Sequence, residues 1–192
     1  MSEVTINSPR AVGDAVQEYL EENFVNCIPV DLVKDYSAEF ARRSMADFAF
    51  YDTDGKYYAV DSKTHNLGTS FNMPNLTSVE RLSRFYQDSN NYFSVLLVSY
   101  EVSGETLLFK DCKFVPIELL DWSCLTLGAL GWGQIQIANS NNVVVNEKNT
   151  RKKWMLQFCD MLDCFYPNEI AKITARIDHF KKVREFWENQ PD

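Results

Sequence analysis

The sequence predicts an α/β domain, a mixed sheet of about five strands flanked by helices on both faces. Three observations carry this expectation. Two aromatic, strand-like runs are joined by a tight turn. A helical stretch separates them from a second pair of strand-like runs, and helical periodicity brackets the whole. At 192 residues, with no repeat, no low-complexity tract and no Pro/Gly-rich linker, a single domain over residues 1–192 is expected.

Val12, Val16, Tyr19, Leu20 and Phe24 recur at helical spacing and predict an amphipathic first helix. A shorter helix is expected after Ser37 and before Met45. "ADFAFYD" and "KYYAVDSK" then read as strands, with Asp54–Gly55 as a hairpin turn signal between them. "LTSVERLSRFYQ" is helical, with Thr77 and Glu80 spaced as a capping box. "NYFSVLLVSYEV" and "ETLLFKDCKFVPI" predict two strands about a turn at Ser103–Gly104, and "QIQIA" predicts a short fifth. Two helices close the chain, one near 150–164 and one over about 168–188. The second carries Ile170, Ile173, Ile177, Phe180 and Val183 on one stripe.

Composition narrows the function classes. No apolar run is long enough for a membrane span. "MSEVTINSPR" has no apolar stretch and reads as neither signal nor transit peptide, so an intracellular location is expected. Five cysteines without a CxxC pair, and two histidines, fit buried free thiols better than a zinc cluster. A net charge of −8 offers nucleic acid no general attraction. Basic residues do cluster locally, at Arg42–Arg43, Arg81 with Arg84, Arg151–Lys152–Lys153 and Lys181–Lys182 with Arg184. Such clusters are ordinarily solvated helix faces.

The chemistry concentrates in "YYAVDSKTHN". A strand period of two puts Asp61 and Lys63 on one side. A hairpin turning at Asp54–Gly55 returns Asp47 beside Asp61, so two carboxylates and a lysine converge at one end of a sheet. Asp-x-Lys alone is short, and a surface ion pair is its ordinary reading. The full set suits metal-assisted phosphodiester hydrolysis. Two carboxylates would hold Mg²⁺, which takes oxygen ligands and keeps several waters. The lysine would orient or deprotonate the attacking water and offset developing charge.

The longer stretch "ADFAFYDTDGKYYAVDSKTHNLGTSFNMPN" resembles the PD-(D/E)xK type II restriction endonucleases of the EcoRV-like branch, most nearly the HincII/HindII family. In that family an Ala-Asp begins a hairpin, an Asp-x-Lys-Thr ends it, and a loop closing in Gln-Ala-Pro-Asn follows. Asp47, Asp61, Lys63 and Thr64 match the catalytic pattern; Asn66, Pro74 and Asn75 match in the loop at the same offsets. "VQEYLEENF", "LLDW", "QIQI" and "NTRKKW" recur in family order, so the resemblance spans about residues 12–188. The segment before Asp47 is shorter than in the family, and no Pro precedes Asp47.

The resemblance implies a restriction endonuclease-like core and Mg²⁺-dependent, site-specific cutting of double-stranded DNA, with Mn²⁺ able to substitute. It implies a homodimer matched to a palindromic site, blunt ends with 5′-phosphates, a cytoplasmic place in a prokaryotic cell and a cognate DNA methyltransferase in the same system. Asp47 and Asp61 would be metal ligands and Lys63 would position or activate water. The first helix could add Asp14 or Glu18 as a further carboxylate.

Thr64, His65 and Asn66 follow the lysine closely enough to touch phosphate, and His65 is also a second candidate base. Asn72 stands where the family inserts a wedge glutamine between base steps. Phe71 and Met73 replace small alanines beside it and could be wedges or core. Asn75 would read base edges. Trp132 and Gln134, in the long segment 121–137, and Arg151 are further candidates for DNA contact, with a core role for Trp132 equally open. A repair or structure-specific nuclease of the same fold, and a DNA-binding protein with a vestigial site, are the rival readings.

Overall fold

A computed structural model describes residues 9–37, 46–103 and 106–191. The chain divides into two compact units, Met1–Asn149 and Thr150–Asp192. The first is mixed α/β. Helix α1 (Pro9–Asn23) runs into one 3₁₀ turn, Phe24–Cys27. Strands β1 (Val33–Ser37), β2 (Phe48–Asp52), β3 (Tyr57–Asn66), β5 (Asn91–Ser103) and β6 (Thr106–Pro116) form an open five-stranded sheet in the order β1-β2-β3-β5-β6. Between β3 and β5 the chain forms β4 (Asn75–Ser78) and helix α2 (Val79–Phe85). After β6 come β7 (Leu125–Gly128) and β8 (Gln134–Ile137), which join β4 in a three-stranded sheet ordered β4-β8-β7.

The β2–β3 hairpin forms where the turn signal lies. The Asp52 N–H donates to Lys56 O at 3.0 Å, and Gly55 takes a positive φ of 78° that a side chain would strain. Asp52 also accepts the Lys56 N–H through its carboxylate at 2.8 Å. The register pairs Phe48 with Val60 and Tyr51 with Tyr57. β3 then pairs parallel with β5, from Tyr57↔Asn91 to Asn66↔Tyr100. Parallel neighbours need a long crossover, and the β4–α2 segment supplies it.

One core cluster joins Val12, Val16 and Phe24 to Phe48, Phe50, Val60, Leu96, Val98 and Tyr100. These strand residues share one face by the period-two rule. Ala59, Phe93 and Val95 alternate to the other face and are buried too. β3 is therefore an interior strand covered on both sides.

Several expectations are corrected. Thr77 lies in β4, paired opposite Ile135, and α2 begins only at Val79 with Ser78 as N-cap and no capping side-chain bond. Cross-strand pairing overrides the local capping signal. "QIQI" is a strand, but of the small sheet and not the fifth of the large one. The fifth is β1, whose sequence "VKDYS" hides its character because an edge strand keeps charged residues toward solvent.

The two closing helices are one, α3 (Arg151–Glu188), which runs through Pro167. Pro167 cannot donate to the carbonyl four residues back. The helix nevertheless continues past it, and the Asn168 side chain donates to Cys164 O at 3.0 Å. Thr150 caps this helix, its hydroxyl accepting the Lys153 N–H at 3.3 Å.

All five cysteines are free, but only Cys124 is buried; Cys27, Cys112, Cys159 and Cys164 are exposed, against the expectation of buried thiols. Cys112 sits on edge strand β6, and Cys159 and Cys164 on α3. The short helix expected after Ser37 and the residues Gly104–Glu105 lie outside the described residues. Among the described residues, no helix is long and apolar enough to cross a membrane.

Candidate functional site

Asp61 lies at the middle of β3, between strands on both sides. Asp47 immediately precedes β2 and extends the hairpin ladder by one bond, its N–H donating to Val60 O at 2.9 Å. Its carboxylate is then fixed from the neighbouring strand. Asp47 Oδ2 accepts the Ser62 N–H at 2.6 Å and the Ser62 hydroxyl at 2.7 Å. The hairpin thus brings the two carboxylates together as its turn predicts. Ser62 is the residue the sequence reading missed. It lies between the two charged positions, and only the register reveals its part.

Asp61 is 5% exposed. Lys63 Nζ donates to its Oδ1 at 2.7 Å, while Oδ2 is buried with no hydrogen-bond partner. Burial pushes its carboxyl up to about 7, Lys63 counteracts this, and the charge on Asp47 adds to it. A buried acceptor without a donor costs about 1–3 kcal/mol. The site therefore holds two carboxylates against one ammonium in a region of low dielectric, an imbalance that a small cation would correct.

Among the described residues no three His, Cys, Asp or Glu converge. A cation here would take protein oxygens from Asp47 and Asp61 and complete its shell with water. That is the habit of Mg²⁺ and not of zinc. Of the proposed further carboxylates, Glu18 is exposed on α1, and the side chain of Asp14 lies outside the description.

Next to Lys63 the sheet opens into a cavity of about 320 Å³ lined by Lys63, His65, Ser99, Lys113, Asn141 and Val143, among others. His65 is buried, so it does not face solvent as an exposed general base would. Its Nε2 lies 2.8 Å from Asn141 Oδ1, and Asn141 Nδ2 donates at 3.3 Å to the carbonyls of Thr69 and Ser70. Ser140 N–H donates to Asn72 O at 2.8 Å, and Ile137 N–H to Pro74 O at 3.1 Å. The loop after β3 is thereby tied to the segment 137–141. Asn141's link to this loop carries no local sequence signal, because Thr69 and Ser70 lie about seventy residues away along the chain.

The remaining expected contact residues separate into groups. Thr64 alternates to the α1 side of β3, where Gly13 leaves room: a Cβ there would sit 3.3 Å from Thr64 Oγ1. Asn66 commits its side-chain oxygen to the turn, accepting the Gly68 N–H at 2.8 Å. Phe71 is 59% exposed and Met73 42%, which removes the core reading for both. Trp132 is 58% exposed on the β7–β8 turn, so it is not core either.

Asn75 Oδ1 accepts from Gln136 Nε2 at 2.6 Å. Gln134 and Gln136 share the partly exposed face of β8, and Ile135 and Ile137 its buried face. Gly128 lies beneath this pair, where a Cβ would come within 2.7 Å of Gln136 Oε1. Gln136 was the second residue missed; an alternating "QIQI" shows two amides on one face, but not that they meet Asn75. Arg151 opens α3 in the second unit and is half-buried there.

No protein-family model matches this chain, and no curated protein matches its sequence.

Proposed function

We propose that the chain is a Mg²⁺-dependent deoxyribonuclease built on a restriction endonuclease-like core, cutting both strands of duplex DNA at a short palindromic site. The single observation that carries this reading is the buried, partnerless Asp61 Oδ2 beside the fixed carboxylate of Asp47 and the ammonium of Lys63. Catalytic sites are where burial and neighbouring charge are set against one another in this way.

Asp47 and Asp61 are the residues that would hold the cation. When bound, a divalent cation supplies Lewis-acid polarisation of the phosphodiester and offsets its charge. Ser62 keeps Asp47 oriented through two hydrogen bonds, and burial keeps water from competing for Asp61. Lys63 would position the attacking water near phosphorus. Its positive charge also faces the phosphoryl oxygens as negative charge builds there. Water oxygen bonds to phosphorus and gives up one proton to solvent, the P–O3′ bond breaks, and the departing 3′ oxygen takes up a proton from solvent water. The product ends are a 5′-phosphate and a 3′-hydroxyl.

The loop carrying Phe71, Asn72 and Met73, with Asn75 at the start of β4 and Trp132 and Gln134, is the proposed DNA-facing surface. Phe71 and Met73 are large apolar groups held in solvent on a loop stiffened by Pro74, which suits a wedge at a base step. Asn75 and Gln134 offer amides able to donate to and accept from base edges. A homodimer gives one active site per strand of a palindrome. The reading includes Mn²⁺ as a substitute metal, blunt ends, and a cognate DNA methyltransferase within the same prokaryotic cytoplasm.

Incubation with plasmid DNA and Mg²⁺ tests it, using Asp61→Asn as the negative control. Discrete fragments with uniform ends are expected. Nicking confined to branched or mismatched substrates would replace site-specific restriction by a repair role. No cutting with intact DNA binding would make the site vestigial.

A further inference from the structure

We propose that α3 is a self-association element, with its stripe from Ile170 to Trp187 pairing antiparallel against the same stripe of a second copy. Every described residue from Ile170 to Gln190 except Val183 is exposed, in a helix that continues to Glu188. Helices of globular proteins draw most of their stability from packing an apolar face. Here Ile170 is 65% exposed, Ile177 53%, Phe180 66% and Trp187 67%.

The spacing identifies the kind of partner. Ile170, Ile173, Ile177, Phe180, Arg184 and Trp187 alternate steps of three and four residues. That is the 3.5-residue repeat of a helix–helix seam and not the broader face that lies on a sheet. Ile173, Ile177 and Phe180 line a shallow groove walled by Arg176, Lys181 and Arg184, a shape that accepts side chains of a facing helix.

Charge selects the direction. In a parallel pair Arg184 would meet its own copy across the seam, and Arg176 would face Lys181 of the other helix. Both contacts are repulsive. In an antiparallel pair centred between Asp178 and His179, Ile177 faces Phe180, Ile170 faces Trp187, and Arg184 lies over Ile173. Arg176 is then opposite Val183. Two of the three lysines on this stretch have acidic partners on their own helix, Lys172 with Glu169 and Lys181 with Asp178, which offsets part of the flanking positive charge.

Size supports the same partner. Six seam side chains at least half exposed offer on the order of 100 Å² each, so two copies bury roughly 1,200 Å², the lower bound of a specific interface. The arrangement is isologous and closes at two copies. It locates an interface for the dimer proposed above, but it rests on α3 alone and its test does not involve cleavage.

The test is analytical ultracentrifugation of the full chain with circular dichroism of the same samples. The unaltered protein is expected to sediment as a dimer at micromolar concentration. Ile177→Glu with Phe180→Glu should weaken dimerisation about 100-fold or more, whereas Lys172→Glu, off the seam, should not. Direction is read separately by oxidative cross-linking after Cys27, Cys112, Cys159 and Cys164 are changed to Ser. Ile177→Cys combined with Phe180→Cys should cross-link, and Ile177→Cys alone should not. A monomer at all concentrations, a dimer indifferent to the two glutamates, or efficient cross-linking of Ile177→Cys alone would each overturn the proposal.

Discussion

Replacing Asp61 by Asn should raise the stability of the metal-free protein at alkaline pH while removing the proposed activity. Burial lifts the Asp61 carboxyl from 3.8 to about 7 in the folded chain. A folded-state pKa above the unfolded value means the folded state binds the proton more tightly. Relative stability from this group is therefore complete below pH 3.8 and is lost progressively as pH rises through about 7. At about 1.4 kcal/mol per pH unit, the full loss is on the order of 4 kcal/mol, of which roughly 2–3 kcal/mol falls between pH 5 and pH 8.

Asn cannot ionise, so the variant escapes this slope. It exchanges the partnerless oxygen for a buried amide N–H, costing about 1–3 kcal/mol at every pH. The gain at pH 8 is thus smaller than the full ionic term. The decisive quantity is the change in the difference between variant and parent, not its absolute value. Urea unfolding in EDTA at pH 5 and pH 8 measures it, and the Asn variant should gain roughly 2–3 kcal/mol on the parent over that interval. Adding Mg²⁺ at pH 8 should then stabilise the parent and leave the variant unmoved. A variant–parent difference that is flat with pH would refute the argument that Asp61 is held folded against its own charge.

Lys63→Ala should abolish cleavage while leaving DNA binding largely intact, and a near-normal cleavage rate would remove the lysine from the mechanism. Ca²⁺ should support site-specific binding without turnover, because it accepts the same oxygen ligands yet activates water poorly; rapid cutting in Ca²⁺ alone would contradict the metal chemistry. Phe71→Ala should slow cleavage but change thermal stability by less than about 0.5 kcal/mol, as for an exposed side chain. A loss of 3 kcal/mol or more would return Phe71 to a packing role. Asn75→Ala should reduce discrimination between cognate and near-cognate DNA by about 1–3 kcal/mol, measured as a ratio of binding constants at fixed salt.

The hairpin that pairs Asp47 with Asp61 was legible because everything it needs is local. It takes two aromatic runs, a glycine able to adopt positive φ, and a fixed count of residues between them. The same locality misled at Thr77, where a capping pattern is complete in sequence but β8, far along the chain, claims the residue for a sheet. β1 escaped notice because an edge strand is under little pressure to alternate. The two closing helices expected near 150–164 and 168–188 are one, because the helix runs through Pro167 in the gap between them. The burial of Asp61 and the links made by Ser62, Asn141 and Gln136 depend on register between distant segments. A one-residue slip would invert them without changing any motif.

β3 is flanked by paired strands on both edges, whereas the loop that follows it is held by a few bonds to residues 137–141. In hydrogen exchange the amides of Ser62 to Thr64 should open only with the whole first unit, and those from Ser70 to Met73 through a much smaller local excursion. The two parts of the site therefore answer to different free energies. On the proposed reading, a loop that opens cheaply would try many base steps and settle on few. The carboxylates would stay in register meanwhile, since moving them means unfolding the sheet.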